Sequence, residues 1–470
     1  MTESKSVTDV QLQADFTELK QAYNDNPAPS YQARISVLKT LKQAILDNEQ
    51  LVYDALKQDY GYRSEFDTLV ADLLPSVAGI NYAIKNLKKW MKPSKRHSGL
   101  MLLPSKVKVH YQPLGVVGVI TPWNFPVFLS MGPAVQALAA GNRVMIKMSE
   151  FTPHANQALK QIVSGLSDHI KIIEGEAETG AAFSTLPFDH LIFTGSSTVG
   201  KLVAGAAAKN LTPITLELGG KSPTIIDDTI DMGIAVDALI VGKSVNSGQI
   251  CVAPDYVFVH ESREQDFIDT FIQRYREYHI DNSSSNSQTH IVSDRQHNRL
   301  LGFLEDAKAK GASLHPVKAI ESDQGRRVYP HLVSNMSEDM DIAKQEIFGS
   351  ILPVMTYRHI EDVIAHINAR PRPLALYIMS KNTQLINSLI HQTHSGGVAI
   401  NDSAMHVAAD DAPFGGVGNS GMGHYHGYEG FLTFSKAKTV LYSSSWLPKN
   451  RFILKNRDFM FSILRKFLLR

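Results

Sequence analysis

A carboxylate and a thiol lie in neighbouring glycine-containing stretches near the middle of the chain. Glu217 precedes a glycine pair at 219–220, and Cys251, the only cysteine among 470 residues, ends the small and polar stretch 246–251. A cysteine thiolate attacks carbonyl carbons, and a carboxylate can take up the protons that such chemistry releases. The two residues therefore predict a thiol nucleophile working with a carboxylate base.

Simpler interpretations compete with this one as long as only the two residues are considered. A lone cysteine is commonly a small buried hydrophobe, and its reactivity depends on its surroundings. Glu217 can serve a structural hydrogen bond instead of acting as a base. A thiol hydrolase without a cofactor is a third alternative, although no histidine base stands in a motif with Cys251.

Six motifs in a fixed order favour catalysis. The segments that contain Glu217 and Cys251 resemble the signature pair of the aldehyde dehydrogenase superfamily, and the resemblance covers nearly the whole chain. Several ordered motifs are far more specific than any one pattern. The other four are Pro122-Trp123-Asn124-Phe125-Pro126, Phe193-Thr194-Gly195-Ser196-Ser197-Thr198-Val199-Gly200, Glu346-Ile347-Phe348-Gly349 and Pro413-Phe414-Gly415-Gly416.

The resemblance implies oxidation of an aldehyde to its acid through a cysteine thiohemiacetal and a thioester. It makes Cys251 the nucleophile, Glu217 the base that activates water, and Asn124 the donor to the oxyanion beside the backbone N–H of Cys251. Without the resemblance, Asn124 between two prolines would be read as a turn former. A cofactor-binding sensor that has lost turnover is a further alternative, but it has no physical need for all three residues.

A nicotinamide dinucleotide is the cofactor that the resemblance implies. The turn at 193–200 feeds a helix N-terminus, whose free N–H groups favour a phosphate, although its spacing departs from G-x-G-x-x-G and such turns are often ordinary connections. Glu150 should accept from a ribose 2′-hydroxyl and repel a 2′-phosphate, which favours NAD and leaves NADP open. The predicted cofactor contacts are Trp123, Lys147, Glu150, Gly195, Ser196, Val199, Gly200, Leu218, Gly219, Glu346 and Phe348.

Two series of β-branched runs alternate with helical segments and indicate the fold class. The first series lies at 114–120, 143–147, 170–173, 190–193 and 213–216; the second at 224–226, 256–259, 351–354, 375–378 and 398–400. Such alternation is typical of doubly wound parallel sheets. We therefore expect an α/β fold with two doubly wound α/β domains, a Rossmann-like cofactor domain and a catalytic domain, plus a small β element for oligomerisation.

The domain organisation follows from these series and from the resemblance. Residues 1–214 are expected to bind NAD(P), with helices over 8–90 and a hairpin at about 93–112 that bridges subunits of a homodimer. Residues 215–400 would form the catalytic domain. Residues 401–470 would return to the cofactor domain and add an oligomerisation strand and a basic amphipathic C-terminal helix.

The composition of the chain bears on whether it binds nucleic acid or metal and on its cellular compartment. The chain is 43% hydrophobic and 20% charged with a net charge of +1, so it offers no electrostatic argument for nucleic acid. One cysteine excludes an intramolecular disulfide, and the mixed polar N-terminus lacks a signal-peptide pattern, which together favour the cytoplasm. His424 and His426 stand in no metal motif, so we predict no metal site.

The C-terminal tail and several central segments resemble the class 3 branch of the superfamily. Residues 449–470 carry seven basic residues and one acidic residue, and Met460, Ile463, Leu464, Phe467 and Leu468 share one helical face. Such a helix can lie on an anionic membrane or pack on a partner subunit. Segments 104–115 and 141–150 resemble bacterial coniferyl aldehyde dehydrogenases, which predicts a hydrophobic, aromatic aldehyde substrate. A medium- or long-chain aliphatic aldehyde, oxidised at a membrane surface, is the alternative.

Overall fold

The computed structural model describes residues 7–280, 288–318, 325–446 and 448–468. The α-helices are α1 Val7–Asp25, α2 Tyr31–Asp47, α3 Glu49–Tyr60, α4 Glu65–Thr68, α5 Leu74–Trp90, α6 Gly99–Leu102, α7 Phe128–Ala140, α8 Pro153–Ile162, α9 Ala177–Ser184, α10 Ser197–Ala208, α11 Met232–Ser244, α12 Glu264–His279, α13 Asp294–Ala309, α14 Asp341–Lys344, α15 Ile360–Asn368, α16 Thr383–Gln392, α17 Gly427–Thr433, α18 Lys449–Lys455 and α19 Arg457–Leu468. The strands are β1 Ser94–Arg96, β2 Lys106–Pro113, β3 Val116–Ile120, β4 Arg143–Lys147, β5 Ile170–Ile173, β6 His190–Gly195, β7 Ile214–Leu218, β8 Pro223–Ile226, β9 Tyr256–His260, β10 Ser313–Pro316, β11 His331–Ser334, β12 Ile351–Tyr357, β13 Ala375–Met379, β14 Gly397–Ile400, β15 Gly421–Met422 and β16 Ser435–Tyr442.

A six-stranded sheet in the order β15-β7-β6-β3-β4-β5 is parallel except for β15 at its edge. Strands β3, β4 and β6 are buried at almost every position. This burial explains their continuous apolar sequence, because helices cover both faces of such a sheet. The order changes direction at β3 and β6, and the carboxyl ends of β3, β6 and β7 meet at one edge, where α/β sheets usually bind ligands.

The second large sheet has seven strands, in the order β10-β11-β12-β9-β8-β13-β14. Only the β10–β11 pair is antiparallel. Helices α11 and α12 pack together beside it, and their apolar side chains share a core with the central strands. The α/β fold with two parallel-rich sheets, predicted from the alternating runs, is confirmed.

A separate antiparallel sheet consists of β1, β2 and β16. Strand β2 contains the alternating segment predicted to be half-exposed, and most of its residues are indeed half-buried. Strand β16 pairs with it over eight residues, from Ser435 opposite Pro113 to Tyr442 opposite Lys106. The end of the chain thereby returns to the segment that follows the N-terminal helices.

Every strand predicted from a β-branched run is present, but several short strands were not foreseen. Strands β1, β10, β11 and β15 have two to four residues each and lie at or next to sheet edges, where a long apolar run is not needed. Strand β7 continues to Leu218 within the first sheet, beyond residue 214. The domain boundaries themselves stay predictions.

The last two helices contain no buried side chain among those described. On the predicted apolar face of α19, Met460, Ile463 and Leu464 are half-buried, and Phe467 is 68% exposed. The side chain of Leu468 and residues 469–470 lie outside the described part. Other large apolar side chains near this end are more than half exposed: Trp446, Phe452, Leu454, Phe459 and Phe461. Across the described ranges, no helix combines the length and the apolarity that a bilayer crossing requires.

A buried ion pair fixes the segment between β3 and α7. Arg63 and Asp72 are 2.7 Å apart, and both side chains are fully shielded from solvent. Arg63 also donates to the backbone oxygen of Asn124 at 2.9 Å, while Asp72 accepts from the N–H groups of Val127 and Phe128 at 3.0 and 3.1 Å. Burial raises the pKa of Asp72 to about 6, and the Arg63 cation opposes that shift. The N-terminal helices therefore hold the loop that carries Asn124.

We expect Asp72→Ala to lower the free energy of unfolding by about 3–5 kcal/mol, because it leaves the Arg63 guanidinium buried and unpaired. Asp54→Ala, which removes an exposed carboxylate that accepts from Gln50, is the matched control and should change the free energy by less than about 1 kcal/mol. Urea denaturation followed by circular dichroism measures both. Equal small losses in the two variants would contradict the role of the pair.

Candidate active site

A cavity of about 260 Å³ lies where the first sheet ends and the second begins. Most of the residues predicted from the motifs line it, including Cys251, Glu217 and Asn124. The complete lining is Pro122, Trp123, Asn124, Leu129, Thr194, Gly195, Ser196, Glu217, Leu218, Gly219, Cys251, Gln296, Arg299, Glu346, Phe348, Leu374, Phe414 and Tyr425. The fold thus gathers segments that lie more than three hundred residues apart.

The backbone just before Cys251 adopts an unusual conformation. Asn246, Ser247 and Gly248 have φ values of 48°, 54° and 71°. A left-handed conformation is strained for residues with a side chain and persists only when the surroundings impose it. At Gly248 a side chain would not fit, since a Cβ atom there would lie 2.6 Å from the carbonyl oxygen of Gly349. These three residues turn the chain so that Cys251 reaches the cavity.

Buried side chains impose that conformation. Asp67 accepts from the N–H of Asn246 at 2.9 Å and from the Thr289 hydroxyl at 2.5 Å. The Ser247 hydroxyl donates to the carbonyl oxygen of Thr289. Gln249 donates to the oxygens of Asn246 and His290 at 2.9 and 3.1 Å and accepts from a backbone N–H at 3.0 Å. The polar character of residues 246–251 is visible in the sequence, but it indicates no such role for Asn246, Ser247 or Gln249, and Asp67 and Thr289 lie far from that stretch.

Asn124 is tied to the same loop. Its Nδ2 donates to the carbonyl oxygen of Gln249 at 3.2 Å, and its own backbone oxygen accepts from Asn246 Nδ2 at 3.1 Å. The Tyr60 hydroxyl donates to that backbone oxygen at 3.3 Å. Asn124 is 2% exposed, so its position relative to the cysteine loop is set by contacts on several sides.

Glu217 lies on β7 and is 4% exposed. Within the described residues, neither carboxyl oxygen has a hydrogen-bond partner. Burial raises the pKa of Glu217 well above its ordinary value, because a charged carboxylate loses solvation in this position. A buried acid without a structural partner is what a proton-transfer group requires, and it argues against the alternative of a structural hydrogen bond.

The thiol of Cys251 shares the cavity with two carboxyl groups. Its withdrawal from water raises its pKa to about 12, and the charges of Glu346 and Glu217 add to the shift. The thiol is therefore protonated at neutral pH. Behind it, the Tyr377 hydroxyl donates to the carbonyl oxygen of Val252, which fixes the backbone on the far side of the nucleophile.

Glu346 lies against the α-carbon of Gly219. A Cβ atom on that glycine would come within 2.2 Å of the carboxyl group, so a larger residue there would displace the Glu346 side chain. Burial, followed by the charge of Asp255, raises the pKa of Glu346 to about 8. The Gly220 N–H and the cations of Lys221 and Arg299 oppose the shift.

Basic side chains hold the loop that carries Glu346 and Phe348. Arg299 donates to the backbone oxygens of Glu346 and Ile347 at 3.2 and 2.8 Å. Asp255 accepts from the Ile347 N–H at 2.8 Å and pairs with Lys221. Phe348 has a φ of 47° and packs edge-on against the Trp123 ring, with centroids 5.3 Å apart. Neither Asp255 nor Arg299 stood in a motif that could have revealed it.

The predicted phosphate-binding turn opens helix α10. Ser196 caps the helix by accepting from the N–H of Val199 at 3.4 Å, and Gly195 and Ser196 both face the cavity. Gly200 lies against Leu218, where a Cβ atom would be 2.7 Å from the leucine side chain. The arrangement leaves the first turn of a helix directed at the carboxyl edge of the sheet.

Four predicted cofactor contacts lie outside the cavity lining: Gly200, which lies against Leu218, and the residues Val199, Lys147 and Glu150. Val199 is 45% exposed on α10. Lys147 is buried at the end of β4, where its Nζ donates to the Met148 oxygen at 2.7 Å, and burial lowers its pKa. The charge of Glu150, which is half-buried nearby, acts in the opposite direction. These residues extend the candidate site along the sheet edge from β6 to β4.

Tyr425 is a cavity residue that sequence analysis did not assign. It is 1% exposed, and burial together with the charges of Glu217 and Cys251 raises the pKa of its hydroxyl well above the ordinary value. Its neighbours His424 and His426 stand in no metal motif, and no separate signal in the sequence pointed to the tyrosine between them. Within the ranges that the structure covers, no three His, Cys, Asp or Glu side chains form a group suited to a metal ion.

Comparison with known proteins gives consistent results. Residues 3–440 match the model described as the aldehyde dehydrogenase family. A probable coniferyl aldehyde dehydrogenase from Pseudomonas aeruginosa is 50% identical over 432 residues, covering 92% of this chain and 90% of that protein. The coniferyl aldehyde dehydrogenase of a Pseudomonas species is 40% identical, covering 92% and 91%. The crystal structure of Mycobacterium tuberculosis aldehyde dehydrogenase complexed with NAD+ gives a TM-score of 0.84 at 27% identity, covering 93% of this chain and 91% of that one.

We expect Glu217→Gln to stabilise the protein at pH 8 more than at pH 5. A raised pKa in the folded state means that folding favours the protonated acid, so the wild type loses stability as the pH rises above the unfolded value of about 4.3. The glutamine variant has no such loss, and the difference between the two pH values should be on the order of 1–4 kcal/mol.

Unfolding free energies at both pH values measure this effect. Glu178→Gln, at an exposed position on α9, is the control and should show no such pH dependence. A glutamine variant at 217 that is less stable than the wild type at pH 8 would mean that Glu217 is ionised and paired.

Proposed function

The chain belongs to the aldehyde dehydrogenase family, and we propose that it oxidises a hydrophobic, aromatic aldehyde of the coniferyl type. Membership makes it an oxidoreductase that acts on aldehydes with NAD as the cofactor. The proposal for the substrate rests on the names of its relatives and on an aromatic cavity wall at Phe414 and Tyr425. The observation that carries the proposed mechanism is the shared cavity of Cys251, Glu217 and Asn124.

Cys251 would be the nucleophile. Its Sγ bonds to the aldehyde carbon, the carbonyl π electron pair moves to oxygen, and that oxygen takes up the thiol proton, which gives a thiohemiacetal. The Nδ2 of Asn124 and the backbone N–H of Cys251 would donate to that oxygen. One such donor typically contributes about 3–4 kcal/mol to the transition state. The strained loop before Cys251 and the hydrogen bonds that hold Asn124 support this role, because both donors are held in place before the substrate arrives.

Glu217 would be the general base for the second half of the reaction. After oxidation, the acyl group remains on sulfur as a thioester. Glu217 would take a proton from water while the hydroxide bonds to the acyl carbon and the thiolate leaves, which releases the free acid. Its unpaired carboxyl oxygens and raised pKa support this assignment, because an acid with a raised pKa is a stronger base once it is deprotonated.

The residues along the sheet edge fit a dinucleotide. The N-terminal turn of α10, with Gly195 and Ser196, would hold the pyrophosphate. Lys147 and Glu150 would hold the adenosine ribose, and Glu346 with Phe348 would hold the nicotinamide ribose. Lys147 supports this placement, because its buried ammonium donates one hydrogen bond to a described residue and keeps donor capacity for a ligand. When bound, the nicotinamide accepts the hydride that leaves the substrate carbon. Use of NADP in addition to NAD stays an open prediction.

The proposed mechanism and substrate are tested by initial rates of NADH formation. Wild-type protein should oxidise coniferyl aldehyde with a kcat/KM at least about tenfold above that of a straight-chain aldehyde of similar apolar area. Cys251→Ala should abolish oxidation of both aldehydes while NAD still binds, as measured by calorimetry. Retained turnover in the alanine variant would contradict the assignment of the nucleophile.

A preference for the straight-chain aldehyde would instead favour the alternative, a fatty aldehyde dehydrogenase working at a membrane surface. The exposed aromatic side chains of the tail, such as Phe452, Phe459 and Phe461, are the observation in its favour. The basic residues between them would face anionic headgroups.

The same tail, together with the mainly exposed β16, also suits contact with a second subunit, and we propose a homodimer. A cytoplasmic location also stays a prediction.

Deletion of residues 448–470 separates the two roles of the tail. If the tail binds lipid, the full chain should float with liposomes that contain phosphatidylserine, and the truncated chain should not. Phosphatidylcholine liposomes are the control for charge. If the tail contacts a partner subunit, truncation should instead halve the mass measured by light scattering. An unchanged mass with no flotation of either protein would exclude both roles.

A further inference from the structure

A second cavity, of about 290 Å³, borders the candidate active site. Tyr425 lines both cavities. Apolar side chains dominate the second lining, and they come from α5, from α7 and from the segment 405–408. None of its residues other than Tyr425 belongs to the site described above. The two cavities therefore meet at Tyr425.

Helix α7 connects the two cavities along one face. It begins at Phe128, four residues after Asn124, and Phe128, Gly132 and Gln136 line the second cavity. A spacing of four residues places these positions on one side of a helix, and the first and last are about 12 Å apart along its axis. Gly132 keeps the middle open, since a Cβ atom there would already touch the Tyr425 ring at 3.4 Å. The face leads from the proposed oxyanion donor to Gln136.

Gln136 carries a buried polar group that no described residue satisfies. It is 5% exposed, and its Oε1 has no hydrogen-bond partner among the described residues. The other polar residue buried on this helix, Ser130, donates to the carbonyl oxygens of Pro126 and Val127. An unsatisfied buried group costs about 1–3 kcal/mol, and the helix would be more stable with an apolar residue there. Such a group is explained if a ligand supplies its partner.

His426 presents a second unpaired atom in the same wall. It is 8% exposed, and its Nε2 also lacks a partner within the described part of the chain. Burial lowers the pKa of this histidine to about 4, so the ring is neutral and one of its nitrogens carries a proton. The ring stacks on Phe414, with centroids 5.2 Å apart, and meets the edge of Phe128 at 6.2 Å. It thus lies between an aromatic residue of each cavity.

We propose that the second cavity binds the aromatic ring of the substrate and that Gln136, assisted by His426, selects rings with a phenolic hydroxyl. This inference rests on the proposed function and makes the substrate class more specific. The aromatic wall suits a flat conjugated ring, which packs well in edge-on and offset arrangements. The lining also contains the acidic residue Asp410 and Ser76, whose hydroxyl donates to the backbone oxygen of Asp72. The unpaired atoms of Gln136 and His426 would distinguish a hydroxylated ring from a plain one.

The recognition consists of hydrogen bonds. The phenolic O–H donates to Oε1 of Gln136, and His426, in the neutral tautomer that carries its proton on Nε2, donates to an oxygen on the ring. An aldehyde with a plain ring or an alkyl chain leaves both protein atoms buried and unpaired. A site built around hydrogen bonds to a hydroxyl group rejects analogues that lack it. Methylation of the phenol removes the donated hydrogen bond, so the site should also reject the methylated substrate.

The test compares kcat/KM for coniferyl aldehyde with the values for cinnamaldehyde, which lacks both ring oxygens, and for 3,4-dimethoxycinnamaldehyde, in which only the phenol is methylated. Wild-type protein should prefer coniferyl aldehyde to each by at least about tenfold. Gln136→Leu should reduce both ratios by about fivefold or more, and His426→Phe, which keeps the stacked ring, should reduce them less. Because each measurement is a ratio within one protein, a general loss of activity does not affect it.

Val135→Ala is the matched control, since it enlarges the same cavity from the same helix and removes no polar atom. Its ratios should equal those of the wild type. Unchanged ratios in both Gln136→Leu and His426→Phe, with all three aldehydes oxidised, would overturn this inference and leave the proposed function intact. Absence of aldehyde oxidation by the wild type would overturn both.

Discussion

The arrangement of the site depends on a stretch of strained backbone held by buried polar side chains. Three residues before Cys251 adopt left-handed conformations, which two of them reach only at an energetic cost. Asp67, Thr289 and Gln249 supply the compensating hydrogen bonds, and none of them faces the cavity. Asn124, which lies in the segment between β3 and α7, is hydrogen-bonded to this loop. The nucleophile and the proposed oxyanion donor are therefore positioned by one network and would shift together if it were broken.

The cavity destabilises the charged forms of the three acidic groups that line it. Cys251, Glu217 and Glu346 lie in one poorly solvated space, and each has a raised pKa. The surrounding cations, Lys221 and Arg299, are committed to Asp255 and to backbone oxygens of the 346–348 loop. The space consequently favours neutral, protonated groups until a ligand changes the local charge. A dinucleotide held nearby brings a positively charged nicotinamide ring, which would stabilise a thiolate.

The sequence was sufficient for the fold class and for most of the cavity residues. Parallel strands that are buried on both faces need continuous apolar runs, so β3, β4, β6 and their equivalents were visible as composition. Motif resemblance located Cys251, Glu217 and Asn124, which share one cavity in the structure. Arg63, Asp67, Asp72 and Asp255 remained hidden because they bind backbone groups 55 to 179 positions away and stand in no motif. Gln136 was hidden for a related reason. The sequence shows one polar residue in an apolar helix, but it does not show whether that side chain has a hydrogen-bond partner.

The pairing of β15 and β16 affects the order in which the protein can fold during synthesis. Strand β15 completes the edge of the first sheet beside β7, and β16 pairs along the whole of β2. Between them, Phe431 and Phe434 are buried in the core of the N-terminal half, and Asn142 donates to the backbone oxygen of Phe434 at 2.8 Å. A ribosome must therefore release residues 421–442 before the N-terminal half can close. Until then its β2 edge and part of its apolar core stay uncovered, and during that interval a nascent chain would benefit from a chaperone.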